Sequence, residues 1–186
     1  MTARPRSSAG RYVALLRGIN VGTAKRVAMA DLRALVEGLG YRDVATLLNS
    51  GNVVFTAPAT VRGDPAARIE AAMTARLRVS ARVTVLSAAD IARAVEGNPL
   101  LEVATDPSRL LVAVLADPRA RSRIAPLAKL DWKPEAFGLG TRVAYLWCPD
   151  GILKSRLQDA VNRALGDGVT ARNWSTLTKL HALAAG

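Results

Sequence analysis

Short apolar runs alternate with amphipathic stretches along the whole chain, and this alternation predicts an α+β fold. Residues 12–16 and Leu110–Leu115 are continuous apolar runs, which is typical of strands buried on both faces. A helix is predicted where apolar residues recur at helical spacing from Met29 to Leu39, and Gly40 is predicted to end it.

The first half of the chain reads as strand, helix, two strands, helix and strand. Strands are predicted at 44–48 and 52–56, joined by a turn at 49–51, and at 82–86. Asp64 and Pro65 mark the start of the second helix, because aspartate favours the N-cap and proline the first helical position. The order βαββαβ is that of a ferredoxin-like unit.

The second half repeats this order. Ser87 to Asp90 resembles a capping box that opens a linking helix, which residues 97–99 end. Strands follow at 110–115, weakly at 134–137, at 143–147 and at 169–171, with a turn at 138–140. Helices are predicted from Asp117 to about 127, over 153–165, and over 175–183 as a closing helix.

The predicted architecture is therefore two ferredoxin-like βαββαβ halves packed together, with a linking helix and a C-terminal helix. Its boundaries are a disordered tail at 1–10, a first half at 11–86, a linking helix and loop at 87–108, and a second half with the closing helix at 109–186. Strands without polar alternation need a cover on both faces, so we expect the halves to pack on each other and leave a cleft. This favours a monomer and leaves a dimer open.

Two polar, glycine-bearing loops follow predicted strands and are the first candidate site. They are Arg17-Gly-Ile-Asn-Val-Gly22 and Asn49-Ser-Gly-Asn52. A guanidinium suits phosphate or carboxylate, and glycines let a ligand approach the backbone. The candidate ligand contacts here are Arg17, Gly18, Asn20, Gly22, Lys25, Ser50 and Asn52. Each also has a purely structural interpretation: an internal ion pair for Arg17, and turn formation for Asn20, Ser50 and Asn52.

A second constellation lies near the C-terminus, where Arg172, Asn173 and Thr176 surround the start of the closing helix. The first turn of a helix has unpaired N–H groups that favour an anion. Asn173 or Ser175 is alternatively the N-cap of that helix. Trp174 could stack on a base, but a tryptophan beside a helix start more often packs against the core.

These motifs resemble those of a bacterial domain-of-unknown-function family, number 1697. The residues that carry the resemblance are Arg17 to Gly22, Met29 to Arg33 and Asn49 to Phe55, together with Thr170 to Leu180. The resemblance spans residues 12–183. It implies two small α+β halves and no established activity.

Charge and composition add candidate partners. The formal charge is +11, from 26 basic and 15 acidic residues, which fits an anionic partner such as nucleic acid or phosphate but also a genome rich in arginine codons. The lone cysteine, Cys148, excludes an internal disulfide, so a cytoplasmic location is expected. The spacing of His, Cys and carboxylates predicts no metal site, and no cofactor or membrane span is expected.

Three functional hypotheses follow. The first is a protein that binds a phosphate-bearing small molecule, such as a nucleotide or phosphorylated metabolite, between the halves. The second is a nucleic-acid-binding module that uses the basic surface. The third is an enzyme without a metal, whose catalytic residues are unknown, because the only histidine, His181, lies in the last helix and no acid–base pair stands out.

Overall fold

A computed structural model describes residues 9–22 and 26–186, and it is an α+β protein. The predicted N-terminal tail, except for its last two residues, and Lys25 lie outside the described residues. The eight strands are β1 (Gly10–Arg17), β2 (Arg42–Leu47), β3 (Asn52–Ala57), β4 (Arg82–Ser87), β5 (Leu110–Leu115), β6 (Ala136–Leu139), β7 (Val143–Trp147) and β8 (Val169–Asn173). The six α-helices of the described chain are α1 (Met29–Glu37), α2 (Pro65–Ala72), α3 (Ala88–Glu96), α4 (Arg121–Ile124), α5 (Arg156–Leu165) and α6 (Trp174–Ala185).

Two compact units divide the chain. The first runs to Ala88 and includes Leu183–Gly186, and the second is Ala89–Ala182. Each unit contains one four-stranded sheet, with strand orders β2-β3-β1-β4 and β6-β7-β5-β8, and every strand pair is antiparallel. Each sheet therefore has a strand at its centre, β1 or β5, that comes first in its own unit.

The first unit has its main core between the sheet and the two helices α1 and α2. Ala14 and Leu16 of β1 pack in this core with Phe55 of β3 and with Leu32 and Ile69 of the helices. The alternate residues of β1, Val13 and Leu15, are also fully buried. Because successive side chains point to opposite faces, both faces of β1 are covered, as its unbroken apolar run predicts.

The second unit is built in the same way around β5. Its core cluster includes Leu111, Ala113 and Leu115 of β5 together with Ile124 and Leu157. All six residues of β5 are buried, so this strand also meets the prediction of two covered faces.

Several predicted elements need correction, and most lie in the second unit. The helix expected from Asp117 to 127 is a 3₁₀ turn, a four-residue α-helix and a second 3₁₀ segment, Ala125–Lys129. Pro126 explains the break, because it has no N–H to donate to the carbonyl four residues earlier. Gly138 and Leu139, expected in a turn, belong to β6.

One helix start and one helix end also differ from those predicted. The helix expected from residue 153 begins at Arg156, where Ser155 accepts a hydrogen bond from the Gln158 N–H, and Leu153 is fully exposed. Helix α1 ends at Gly38 rather than Gly40. Among the described residues, no helix is both long and apolar enough to cross a membrane.

Candidate functional site

Asn20 joins the two motif loops of the first unit. Its Nδ2 donates to the Val27 carbonyl oxygen at 2.9 Å and to the Asn49 carbonyl oxygen at 2.7 Å, and its Oδ1 accepts from the Val27 N–H at 2.8 Å. The residue has a left-handed backbone with φ of 55°, which asparagine tolerates better than most residues. Its amide therefore holds Asn20 against Val27 and against the β2–β3 turn.

The β2–β3 turn approaches the first loop very closely at Gly51. Gly51 has φ of 76°, and a Cβ atom there would lie 2.8 Å from both Leu16 Cβ and Ile19 Cδ1. The Gly51 carbonyl also accepts from the Leu16 N–H at 2.8 Å. A glycine is required at this position both for its backbone conformation and for the space that it leaves.

Asn52 and Ser50 belong to the same turn but differ in access. Asn52 is fully buried, and its Nδ2 donates to the Leu47 carbonyl oxygen and to Ser50 Oγ, both at 2.9 Å. Ser50 is exposed. Asn52 thus shapes the turn from within, whereas Asn49 and Ser50 are exposed and can be reached by a ligand from solvent.

A cavity of about 520 Å³ opens beside the Asn20 bonds. It is lined by Asn20, Arg26, Val27, Ala28, Met29 and Asn49. Ala28 is the N-cap of α1, and among the described residues no side-chain cap bond is made at this helix start. The first N–H groups of a helix have no partner within the helix, and they carry the positive end of its dipole. The cavity therefore joins an uncapped helix N-terminus to the exposed Arg26 guanidinium.

Arg17 lies at the end of β1, and it is half-buried. Its cross-strand partner is Arg82 of β4, so the two side chains start from the same face of the sheet. Arg82 also forms an ion pair with Glu70, with an Nη1–Oε2 distance of 3.9 Å. Two like charges in register at the ends of neighbouring strands are unfavourable by themselves, and the Glu70 carboxylate reduces this repulsion.

The C-terminal candidates Arg172, Asn173 and Thr176 lie in the second unit, and their hydrogen bonds are to residues close by in the sequence. Arg172 of β8 donates from Nη1 to the Ala171 carbonyl oxygen at 2.9 Å and to Thr170 Oγ1 at 3.3 Å. Burial lowers the pKa of Arg172 to about 10. Asn173 Oδ1 accepts from the Thr176 N–H at 2.9 Å, so Asn173 is the cap of α6, and Thr176 is buried. The sequence motif here combines one buried cation with a helix start that is already capped.

Other candidate groups have structural roles. Cys148 is buried, and burial raises the pKa of its thiol. At the start of α5, the Glu135 carboxylate accepts from the Leu157 N–H at 3.0 Å, so this helix start already holds an anion of the protein itself. Within the described ranges, 9–22 and 26–186, no group of His, Cys, Asp and Glu could hold a metal ion.

Sequence reasoning missed three walls of the cavity, which are Val27, Ala28 and Met29. A signal was available at the start of α1. No Ser, Thr, Asp or Asn stands at position 27 or 28, so the sequence offers this helix no standard N-cap.

A family model supplies the decisive comparison. The model described as Protein of unknown function (DUF1697) matches residues 10–145. This match covers well over half of the chain. The chain belongs to this family.

The match confirms the resemblance noted in the motifs of the first unit, which lie inside the matched residues. The C-terminal motif, at Thr170 to Leu180, lies beyond them. No curated protein matches this DUF1697 chain.

Among solved structures, the DUF1697 chain is similar to the conserved bacterial protein SP0830 from Streptococcus pneumoniae. The TM-score is 0.76 at 23% sequence identity, and the alignment covers 95% of this chain and 99% of that chain. At this identity the likeness is one of fold.

Proposed function

We propose that this protein binds a phosphate-bearing small molecule, a nucleotide or a phosphorylated metabolite, at the motif loops of its first unit. The observation that carries the proposal is the uncapped start of α1, which opens with Arg26 onto a cavity of about 520 Å³. Helix N-termini bind phosphate through their free N–H groups and their dipole, and a guanidinium adds a charged, forked donor.

The two loops supply the remaining contacts in this proposal. Gly18 and Gly22 have positive φ values. Apart from each glycine and its chain neighbours, no atom of the described residues lies within 4 Å of where a Cβ would be built, so a ligand can approach their backbone. Ser50 Oγ is an accessible hydroxyl at the other loop. Arg17 and Lys25 contribute positive potential, and Asn20 and Asn52 hold the loops in place rather than contact the ligand.

Within the second unit, we propose Arg172 as a contact for an anion. Burial lowers the pKa of its guanidinium, so an adjacent anion would stabilise its charged form. Asn173 and Thr176 support it by fixing the start of α6. We also propose that each unit is ferredoxin-like, which is supported by the strand orders and by the βαββαβ element order in the first unit.

Nucleic-acid binding is the second candidate, and the distribution of charge favours it. Up to Ala88 the sequence has thirteen Lys and Arg against five Asp and Glu, whereas the remainder has thirteen against ten. The first unit therefore carries most of the excess positive charge. A nucleic-acid backbone would exploit this excess, and such binding falls steeply as salt rises.

A thermal-shift series tests these candidates. Nucleotides, phosphorylated metabolites, and single- and double-stranded nucleic acid are added at low and at high salt. Small-molecule binding predicts a rise in the melting temperature with one class of phosphate compound that survives high salt, because bound ligand stabilises the folded state. A rise with nucleic acid alone, lost at high salt, would favour the second candidate.

Variants locate the response. Arg26→Gln is expected to remove the shift, whereas Arg42→Gln, at an exposed arginine of the same unit outside the cavity, is expected to keep it. A shift that both variants retain, or an absence of any shift with phosphate compounds, would overturn the proposal.

A further inference from the structure

A second cavity, of about 210 Å³, lies within the second unit between α3 and the turn that joins β6 and β7. Its charged walls are Asp90 and Arg93 of α3 and Arg142 of the turn, and its apolar walls are Ala94, Val143 and Tyr145. It involves none of the residues proposed above to bind phosphate, so its function is a separate question.

The three charged side chains do not balance one another. Arg93 Nη2 lies 2.5 Å from Asp90 Oδ1, which is a tight ion pair. Arg142 Nη1 is 3.4 Å from the other oxygen of the same carboxylate, Oδ2. One carboxylate thus faces two guanidinium groups and is bound closely by only one of them, so this group of charges has an excess of one positive charge.

Arg142 is held loosely although it is largely buried, with 24% of its side chain exposed. Its other contacts are from Nε to the Leu115 carbonyl oxygen at 3.3 Å and from Nη2 to the Ala116 carbonyl oxygen at 3.5 Å. All its contacts are longer than the usual N–H···O range of about 2.7–3.2 Å. A closer acceptor would therefore be favourable, and a carboxylate matches the guanidinium fork with two parallel bonds.

The rest of the cavity is small and apolar. The Tyr145 hydroxyl donates to the Ala94 carbonyl oxygen at 2.7 Å, so the cavity has the tyrosine ring as a wall and the hydroxyl already has an acceptor. Gly140 keeps the space open, because a Cβ there would lie 2.9 Å from Val143 Cγ2 and 3.4 Å from the ring. The volume suits a molecule of a few heavy atoms with a short hydrocarbon part.

We infer that this cavity binds a short-chain carboxylate monoanion. The carboxylate lies against the Arg142 guanidinium, and the hydrocarbon part lies against Ala94, Val143 and the Tyr145 ring. A monoanion neutralises the single excess charge. A phosphate dianion would exceed it, and the neighbouring Asp90 carboxylate would repel a dianion more strongly than a monoanion.

The test is a titration of the ¹⁵N-labelled full chain with propionate, followed in amide spectra at constant ionic strength maintained with chloride. Saturable shifts at the Gly97, Gly140 and Thr141 amides are expected. Propionamide, which has nearly the same shape but no charge, is expected to produce none. Shifts that never saturate, equal shifts with propionamide, or equal or tighter binding of inorganic phosphate would overturn the inference.

Two variants keep the test independent of folding defects. Arg142→Gln is expected to weaken propionate binding by about tenfold or more, whereas Arg123→Gln, at an exposed arginine of the same unit outside the cavity, is expected to leave it unchanged. Thr141→Trp fills the mouth of the cavity from an exposed position and leaves Arg142 in place. Propionate shifts that persist in Thr141→Trp at the same affinity would contradict the assignment.

Discussion

Asn20 organises the candidate site, because its side-chain amide bonds to the backbone of both loops while the residue itself lines the cavity. Its three hydrogen bonds connect the first loop to Val27 and to the β2–β3 turn. From the sequence, this asparagine could be placed in a turn, but the partners that lie 7 and 29 residues away could not be identified. Long-range bonds of this kind depend on the folded chain and leave no local pattern in the sequence.

The Asn20 amide should therefore contribute measurably to stability. Asn20→Gly keeps a residue that accepts positive φ and removes only the side chain, so the backbone groups of Val27 and Asn49 lose their partners. We expect the free energy of unfolding of the first unit to fall by about 2–3 kcal/mol, measured by denaturant titration. Asn49→Ala is the matched control, because only the backbone carbonyl of Asn49 accepts the bond from Asn20. A similar loss in this control would contradict the interpretation.

Tyr145 is expected to make the free energy of unfolding depend on pH. Burial raises its pKa from 10 to about 12. The folded state therefore holds the phenolic proton more tightly than the unfolded state, and this contribution is complete below pH 10 and is lost as pH rises to 12.

We expect the stability advantage of wild type over Tyr145→Phe to shrink between pH 10 and pH 12. Taking the difference between the two proteins removes the effect of other groups that titrate in the same range, such as Arg172. Denaturant titrations at several pH values measure the advantage. A difference that stays constant across this range would mean that the Tyr145 pKa is not raised in the folded state.

At the scale of elements, hydrophobic periodicity predicted the central strands well and the irregular segments poorly. β7 has the predicted bounds, and β1 and β5 are covered on both faces, because an unbroken apolar run has few alternative structures. The prediction of one helix after β5 was wrong. Asp117 and Pro118 are a strong signal for a helix start, but Pro126 breaks the helix after a few residues. Leu153 fits a helical spacing but precedes the true cap, Ser155, and is exposed.

The proposed function depends on the start of α1. A change at Asp31, in the first turn of this helix, is expected to affect stability and ligand binding in opposite directions. An aspartate there interacts favourably with the helix dipole but repels an anion in the cavity. Asp31→Asn should therefore lower the free energy of unfolding by about 0.3–1 kcal/mol and at the same time tighten the binding of a phosphate compound.

Calorimetry with a phosphate compound identified in the thermal-shift series measures the affinity, and thermal unfolding without ligand measures the stability. Glu37→Gln, at the far end of the same helix, is the control and should not tighten binding. Weaker binding in Asp31→Asn would mean that the ligand does not lie at this helix start.

At the scale of the whole molecule, two units of the same strand order differ in what they carry. Most of the excess positive charge belongs to the first unit, together with the larger of the two cavities described above. The second unit has the largely buried Arg172 and a small cavity whose three charged side chains, Asp90, Arg93 and Arg142, carry one excess positive charge. The element order could be predicted from the sequence. The cavities could not, because they depend on which loops lie together in the folded chain, and the hydrophobic pattern does not encode this.

The most direct test of the proposed function is an amide-resolved NMR titration of the full chain with inorganic pyrophosphate at high salt. If pyrophosphate binds at the proposed site, we expect saturable shifts at Gly18, Gly22, Arg26 and the first turn of α1. We expect Arg26→Gln to lose these shifts. Saturable shifts confined to other residues, or none that saturate, would contradict a phosphate site at these loops.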